Sequence, residues 1–321
     1  MSRRFFWLAL LIVAAIAAYS AGWFYIAGQL TQRTEAALAA LSRAGNRAVC
    51  EQPEARGYPF RIGLFCNATF FEDRSTGFSV ATGALRSAAQ IYAPLHAIVE
   101  ADGPARISLA GLDPLHVTWD TMRASVRIAE PVPQRVSIVG KGVRVEADTL
   151  AARMIGVFTA DLIELHMRPN GGELDFAARF NGFRAGEMLS EGRDLPPVSG
   201  TLDLSIRDGI SRFEQRNAGL RGLSLEIRTL DMQAGNGARV NASGPLSVGE
   251  DGLVDGELVL TAANTAALAD FLGAAFPDAA KELSSLLPGL SALGERPSLP
   301  LHISGGRVVL GFVPLGIIPP L

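Results

Sequence analysis

An uninterrupted apolar stretch near the N-terminus constrains this chain more than any other feature. Residues Phe5–Ala27 read FFWLALLIVAAIAAYSAGWFYIA and contain no charged side chain. A hydrocarbon core of roughly 30 Å is crossed by about 20 apolar helical residues, because every backbone group must be hydrogen-bonded within the segment once water is absent. The stretch is therefore long enough to span a membrane. Trp7 and Trp23–Tyr25 lie near its ends, where aromatic rings favour the headgroup level.

A cleaved secretory signal explains the same residues differently. Arg3 and Arg4 would form its basic region, Phe5–Ala17 its apolar core, and Ala18–Ser20 its small-residue cleavage site. The apolar character continues beyond that site, which favours an uncleaved anchor. Under either interpretation the rest of the chain is exported from the cytoplasm. The basic residues are nearly balanced across the stretch, so the positive-inside rule leaves its orientation open.

The remaining length and the charge bound the class of protein. The chain has 321 residues and a net charge of -3. About 290 residues follow the anchor, which is enough for one large all-β domain or two smaller ones. So small a charge does not indicate steering toward nucleic acid.

Cys50 and Cys66 are the only cysteines of the chain. In an oxidising compartment they would close a loop of about 15 residues and stabilise the fold by roughly 3 kcal/mol. We therefore predict a disulfide between them. Two unrelated buried thiols, which would suit a cytosolic domain, are the alternative.

A distinctive segment lies between the two cysteines. It contains Gly57, Tyr58, Pro59, Phe60 and Arg61, followed by the apolar and polar alternation of a strand. Together with a cysteine on either side and an apolar helix in front, this segment resembles the bacterial family called domain of unknown function 2125.

The ending Gly305–Gly316 also resembles that family's C-terminus. The resemblance implies an inner-membrane-anchored envelope protein of proteobacteria with a β-rich periplasmic domain. It implies no activity, because the family is uncharacterised. More distantly, the strand-rich body is similar to AsmA-like proteins, whose long grooves are associated with lipid traffic; this similarity is an analogy of fold alone.

Most of the chain after the anchor alternates between apolar and polar residues. Leu174, Phe176, Ala178 and Phe180 are separated by single, mostly polar residues. Such alternation is typical of antiparallel sheet with one face in water. We therefore expect a mainly β fold with a large antiparallel, twisted or curved sheet, arranged as a groove, a half-barrel or a sandwich. Gly140–Gly142 is interpreted as the turn of a hairpin.

The predicted organisation has five parts. They are a membrane anchor at 1–29, a neck helix at 30–49, a first β-rich half at 50–182, a loop or boundary at 183–197, and a second β-rich half at 198–321. The second half carries helices at about 264–293, one of them starting at Asn264 and a second at Pro277. We expect these helices to cover the sheet, with a mobile lid over an apolar cavity as the alternative.

No pattern of residues indicates catalysis. The four histidines, His96, His116, His166 and His302, are isolated from one another and from other metal ligands. The chain contains no nucleophile elbow, Walker loop or dinucleotide-binding fingerprint. We therefore expect no catalytic residue, no metal, no cofactor and no enzyme activity.

An exported chain with many amphipathic strands and a mean hydropathy of +0.24 indicates a protein that acts by presenting a surface. We expect it to hold membrane lipid or another apolar ligand in a groove of its sheet. Envelope proteins are further expected partners, and nucleic acid is not. The expected location is the bacterial inner membrane, with a single span and the bulk of the chain in the periplasm. A structural or assembly protein of the envelope is the alternative, and an enzyme of unfamiliar type is a further one.

Overall fold

The computed structural model describes residues 2–43, 45–149, 153–215, 219–275, 277 and 297–321. This part of the chain is mainly antiparallel sheet with a long apolar helix at the N-terminus, which confirms the predicted fold class. The chain divides into two compact units, Met1–Val117 and Thr118–Leu321. The helices among the described residues are α1 (Ser2–Arg43), α2 (Glu187–Ser190), α3 (Gly209–Glu214) and α4 (Thr265–Ala275).

Helix α1 contains the predicted anchor and most of the predicted neck. By length and composition it can cross a membrane, although a signal sequence meets the same criteria. The neck, predicted to reach residue 49, ends at Arg43. It is shorter because Asn46–Cys50 forms a strand that pairs with Thr69–Asp73.

The strands of the first unit pair in two antiparallel ladders. One ladder has the order β2 (Glu54–Arg56), β3 (Arg61–Cys66), β6 (Leu85–Gln90) and β7 (Ala93–Ala101). The other has the order β1 (Asn46–Cys50), β4 (Thr69–Asp73), β5 (Phe78–Thr82), β8 (Ala105–Ser108) and β9 (Leu115–Thr118).

A disulfide joins these two ladders. Cys50 ends β1 and Cys66 ends β3, and the two residues are bonded with their Cα atoms 5.2 Å apart. Backbone hydrogen bonds close the same junction, since Glu51 N–H donates to the Ala68 carbonyl at 2.9 Å and Asn67 N–H donates to the Glu51 carbonyl at 2.8 Å. The predicted disulfide is confirmed, and it fixes the start of the sheet immediately after α1.

The second unit is a meander in which each strand pairs with the next along the chain. Its strands are β10 (Thr121–Arg127), β11 (Arg135–Asp148), β12 (Met154–Asn170), β13 (Glu173–Ala185), β14 (Val198–Ile206), β15 (Ser224–Ala234), β16 (Arg239–Val248), β17 (Val254–Ala263), β18 (Ser298–Ser304), β19 (Arg307–Leu310) and β20 (Val313–Ile317). Among the described residues β10 and β20 do not pair with each other, so this sheet is not closed.

Strands β11 and β13 each pass through a glycine with positive φ. Gly142 in β11 has a φ of +60°, a backbone conformation that residues with a Cβ atom rarely adopt, so the position favours glycine. The pairings on either side place Asp161 of β12 between Gly142 and Gly182 of β13, which has a φ of +61°. The predicted hairpin turn at Gly140–Gly142 is therefore wrong, because β11 runs through it as one strand.

Residues 183–197, predicted to be a loop or boundary, lie inside the second unit. They complete β13, form α2 and connect to β14. Because β13 and β14 pair directly from Leu174 to Phe180, the connection does not separate two bodies. The chain divides instead between Val117 and Thr118.

Helix α4 agrees with the first of the two helices predicted at about 264–293. The second predicted helix, which starts at Pro277, falls almost wholly on residues 278–296, outside the described residues.

We expect loss of the disulfide to lower the free energy of unfolding of the first unit by about 3 kcal/mol, because the crosslink lowers the entropy of the unfolded chain. In the Cys50→Ala, Cys66→Ala protein, purified in detergent, hydrogen exchange of peptides from β3 and β4 should become faster. Peptides from β14 to β16 in the second unit are the internal control and should exchange at an unchanged rate. Unchanged exchange at β3 and β4 would contradict the prediction.

Candidate functional site: an open apolar face of the second unit

One face of the second unit's sheet carries an unbroken row of apolar side chains. Directly paired residues on neighbouring antiparallel strands point to the same face, so the pairings trace this row from β10 to β18. Its members are Ala124, Ile138, Leu165, Ala178, Leu202, Leu230, Ala242, Leu260 and Leu299. We call it the central row.

The neighbouring rows on both sides are apolar as well. On one side the row contains Val126, Val136, Met167, Phe176, Leu204 and Ile227. On the other side it contains Met122, Gly140, Ile163, Phe180, Gly200, Met232, Val240 and Ala262. The three rows together form the apolar face.

The apolar face is not packed as a protein core. Within the central row only Ala242 is buried, whereas Leu165 is 47% exposed and Ile138 is also exposed. Phe176 and Met232 in the flanking rows are exposed too. An antiparallel sheet normally buries its apolar face against a second layer. Among the described residues, the middle of this face has no such layer.

Two small clusters cover the ends of the face. At one end α4 packs Leu268 against Ala234 and Ala238. At the other end Val248 and Val254 form a cluster with Ile303. These clusters show that the strands bury apolar residues where a cover is present, whereas most residues of the central row are only half-buried.

The opposite face of the same strands, the polar face, carries cross-strand ion pairs. Arg168 in β12 lies directly across from Asp175 in β13, with Nε and a carboxylate oxygen 3.2 Å apart. Arg228 in β15 donates to Asp175 at 2.8 Å and also to Asp203 in β14. The guanidinium of Arg228 therefore links three strands.

Asp175 is the centre of this network and is only 4% exposed. Its burial acts to raise its pKa, but hydrogen bonds donated by Arg228, Ser205 and Arg168 outweigh that effect and hold the pKa of Asp175 below its ordinary value. The bond to Asp203, followed by the bond to Asp175, raises the pKa of Arg228. Both partners are therefore charged at neutral pH.

A shallow cleft of about 380 Å³ lies over this network and is also lined by Arg135, Ser137 and His166. His166 Nδ1 is 3.0 Å from the Ser137 hydroxyl oxygen. The carboxylates of the cleft already hold arginine partners, an arrangement that orders strands. Across the described ranges, no three His, Cys, Asp or Glu residues are grouped so as to hold a metal ion.

The predicted motif, Gly57–Arg61, belongs to the first unit, where it packs against α1. The Tyr58 ring stacks on Phe24 with centroids 5.6 Å apart and meets Trp23 edge-on at 5.5 Å. Trp23 Nε1 donates to the Arg61 carbonyl at 2.9 Å. Gly57 has a φ of +118°, so this turn onto the helix requires glycine. The motif and the disulfide thus lie in the first unit, and the apolar face lies in the second.

We expect Asp175→Asn to lower the free energy of unfolding by about 2 kcal/mol at neutral pH, because charged hydrogen bonds to a buried group are lost. Asp203→Asn is the matched control: it removes a bond to the same Arg228, but its side chain is 50% exposed, so we expect less than about 1 kcal/mol. Urea unfolding followed by circular dichroism measures both changes.

The difference between the wild type and Asp175→Asn should depend on pH in one direction. Because the pKa of Asp175 is lowered by folding, its stabilising contribution is complete above its unfolded pKa of about 3.9 and is lost as the pH falls through the lower folded value. Equal effects of the two substitutions, or a difference that grows toward low pH, would contradict the assignment.

Comparison with known proteins agrees with the resemblance found in the motif. A search of curated proteins gives no match. Residues 23–319 match a family described as an uncharacterized protein conserved in bacteria, DUF2125. The matched range includes the motif, the disulfide and the strands of both units. The chain therefore belongs to the DUF2125 family of bacterial proteins.

Proposed function

We propose that this protein is a non-enzymatic lipid-binding protein of the bacterial inner membrane, which holds acyl chains against the apolar face of its second unit. Helix α1 is its single membrane span, and both sheet units lie in the periplasm. The observation that carries the proposal is the central row: its apolar residues cross the strands from β10 to β18, and only Ala242 is buried.

The energetic argument concerns water. Apolar surface left in water costs roughly 25 cal/mol per Å², and soluble proteins rarely keep a large contiguous apolar patch exposed without a use for it. Acyl chains match a row of aliphatic side chains that offers no hydrogen-bonding group. A chain tethered to a membrane also has acyl chains close at hand.

The proposed location follows from the disulfide and from α1. Disulfides persist in oxidising compartments such as the periplasm, and Cys50–Cys66 is adjacent to the membrane helix in the sequence. Contacts of α1 also favour its retention. Tyr19 donates to the Pro59 carbonyl and Ser20 bonds the Tyr58 hydroxyl at 2.7 Å. Cleavage before Ala21 would remove both contacts.

The alternative function is assembly of the cell envelope, with protein and not lipid covering the apolar face. The two end clusters favour this alternative to a limited extent, because α4 already covers one end of the face with protein. Lipid is the better match for the middle of the apolar face. The exposed side chains there are apolar, and no described helix packs against them.

The lipid proposal predicts where a photoactivatable acyl chain will react. The full-length protein, reconstituted in phosphatidylcholine vesicles that contain a phospholipid with a diazirine in its acyl chain, should be labelled on peptides from β11, β12 and β13. Peptides from α1 are the positive control for membrane insertion. Labelling of α1 alone would contradict lipid binding by the sheet and support the assembly alternative.

Two neighbouring residues of β11 provide a matched pair of variants. Ile138 belongs to the apolar face and Val139 to the polar face. Ile138→Asp should reduce labelling of the sheet at least about tenfold, because a carboxylate against an acyl chain costs more than 1.4 kcal/mol. Val139→Asp should leave labelling unchanged. An equal loss in both variants would show that labelling does not depend on the face.

A further inference from the structure

We infer that the motif loop and the adjacent turn between β6 and β7 are embedded in the bilayer at the end of α1, as a second membrane contact of the first unit. The contact surface consists of Phe60 in the motif and Tyr92 in the turn. This inference rests on α1 being the membrane span of the proposed function, and it concerns residues outside that helix.

The position of the motif along α1 sets its depth. Tyr58 and Pro59 contact α1 between Tyr19 and Phe24. At a rise of about 1.5 Å per residue, Tyr19 lies about 12 Å before Ala27, the end of the apolar stretch. A typical span of about 20 residues that begins at Phe5 ends at Phe24, on which Tyr58 stacks. The motif is therefore level with the last turns of the span.

The exposed side chains of this region suit that depth. Phe60 is 71% exposed and Tyr92 is 78% exposed. The two residues lie on adjoining segments, because Ile91 N–H donates to the Phe60 carbonyl at 3.2 Å and Arg61 pairs with Gln90. Leu95 in β7 is exposed as well. Aromatic rings of this kind favour the boundary between headgroups and acyl chains.

Several backbone groups of the motif have the hydrogen-bond partners that lipid requires of irregular structure. Away from water, each polar backbone group needs a partner within the protein. The carbonyls of Pro59, Phe60 and Arg61 accept hydrogen bonds from the Tyr19 hydroxyl, the Ile91 amide and Trp23 Nε1, respectively. Pro59 has no N–H group to satisfy, and Arg61 N–H donates to the Gly57 carbonyl at 2.9 Å.

The side-chain hydroxyl in the same region is also paired within the protein. The Ser20 hydroxyl donates to the Ile16 carbonyl at 2.8 Å, so the Tyr58 hydroxyl is the donor in the bond between Ser20 and Tyr58. A loop built for water would have no need of the three helix side chains that bond it, those of Tyr19, Ser20 and Trp23. The loop thus exposes the Phe60 ring and bonds these polar groups within the protein, while the exposed Arg61 side chain can extend toward the headgroups.

Site-directed spin labelling of the full-length protein in phosphatidylcholine vesicles tests this inference. Single cysteines replace Phe60, Tyr92, Leu11 or Leu112, while the native cysteines stay in their disulfide. Leu11 in α1 and Leu112 in the turn between β8 and β9 are matched controls, because both are 66% exposed. The measured quantities are the collision rates of each label with oxygen, which enriches in lipid, and with a water-soluble nickel chelate.

Spin labels at positions 60 and 92 should collide with oxygen and nickel at rates similar to those of the label at 11. Their nickel collision rates should be several-fold below the rate at 112. The inference would be overturned if the labels at positions 60 and 92 collided with nickel as often as the label at 112 while the label at 11 reported lipid. That result would leave the membrane span of α1 intact. A water signal at 11 would refute the membrane span itself, and with it both proposals. Shielding of 60 and 92 from oxygen and nickel alike would indicate protein cover and would also overturn the inference.

Discussion

Direct antiparallel pairing between consecutive strands is the constraint on which the second unit depends. Because each strand pairs with the next along the chain, every residue points to the same face as its partner on the neighbouring strand. The alternation within single strands therefore adds up to two continuous surfaces, one apolar and one charged. The central row exists only because Ile138, Leu165 and Ala178 fall opposite one another in consecutive pairings.

Much of this fold could be predicted from local patterns, and the remainder depends on register. Alternation around Leu174–Phe180 predicts a strand with a wet face, and the spacing of Cys50 and Cys66 predicts their bond. That the described residues leave the apolar face without a second layer could not be predicted, because the alternation of apolar and polar residues is the same with or without such a layer. The glycines at Gly140–Gly142 predicted a turn, since a positive φ within a strand and a positive φ in a hairpin have the same sequence signal.

The contact between the motif and α1 could be predicted only in part from the sequence. The motif Gly57–Arg61 stands out by its proline and its two aromatic residues. Its partner, the face of α1 at Tyr19–Phe24, does not stand out, because membrane spanning alone explains that stretch. Trp23 illustrates the difficulty: it is a typical interfacial tryptophan by sequence, yet it is 6% exposed and bonded to the Arg61 carbonyl. Only the tertiary contact shows that Trp23 packs against the motif and does not face the headgroups as an interfacial anchor would.

The described residues leave the middle of the apolar face uncovered, so that face does little to fix the register of the strands, and the polar face fixes it instead. A packed core penalises a one-residue slip because apolar residues would turn to water, but a face that is already exposed penalises it less. The ion pairs supply the missing penalty. A slip of one residue between β12 and β13 would move Arg168 from Asp175 to Phe176 or Leu174, so the buried carboxylate would lose one of its two arginine partners. The buried charge on the polar face thus fixes the register without requiring a packed core on the other face.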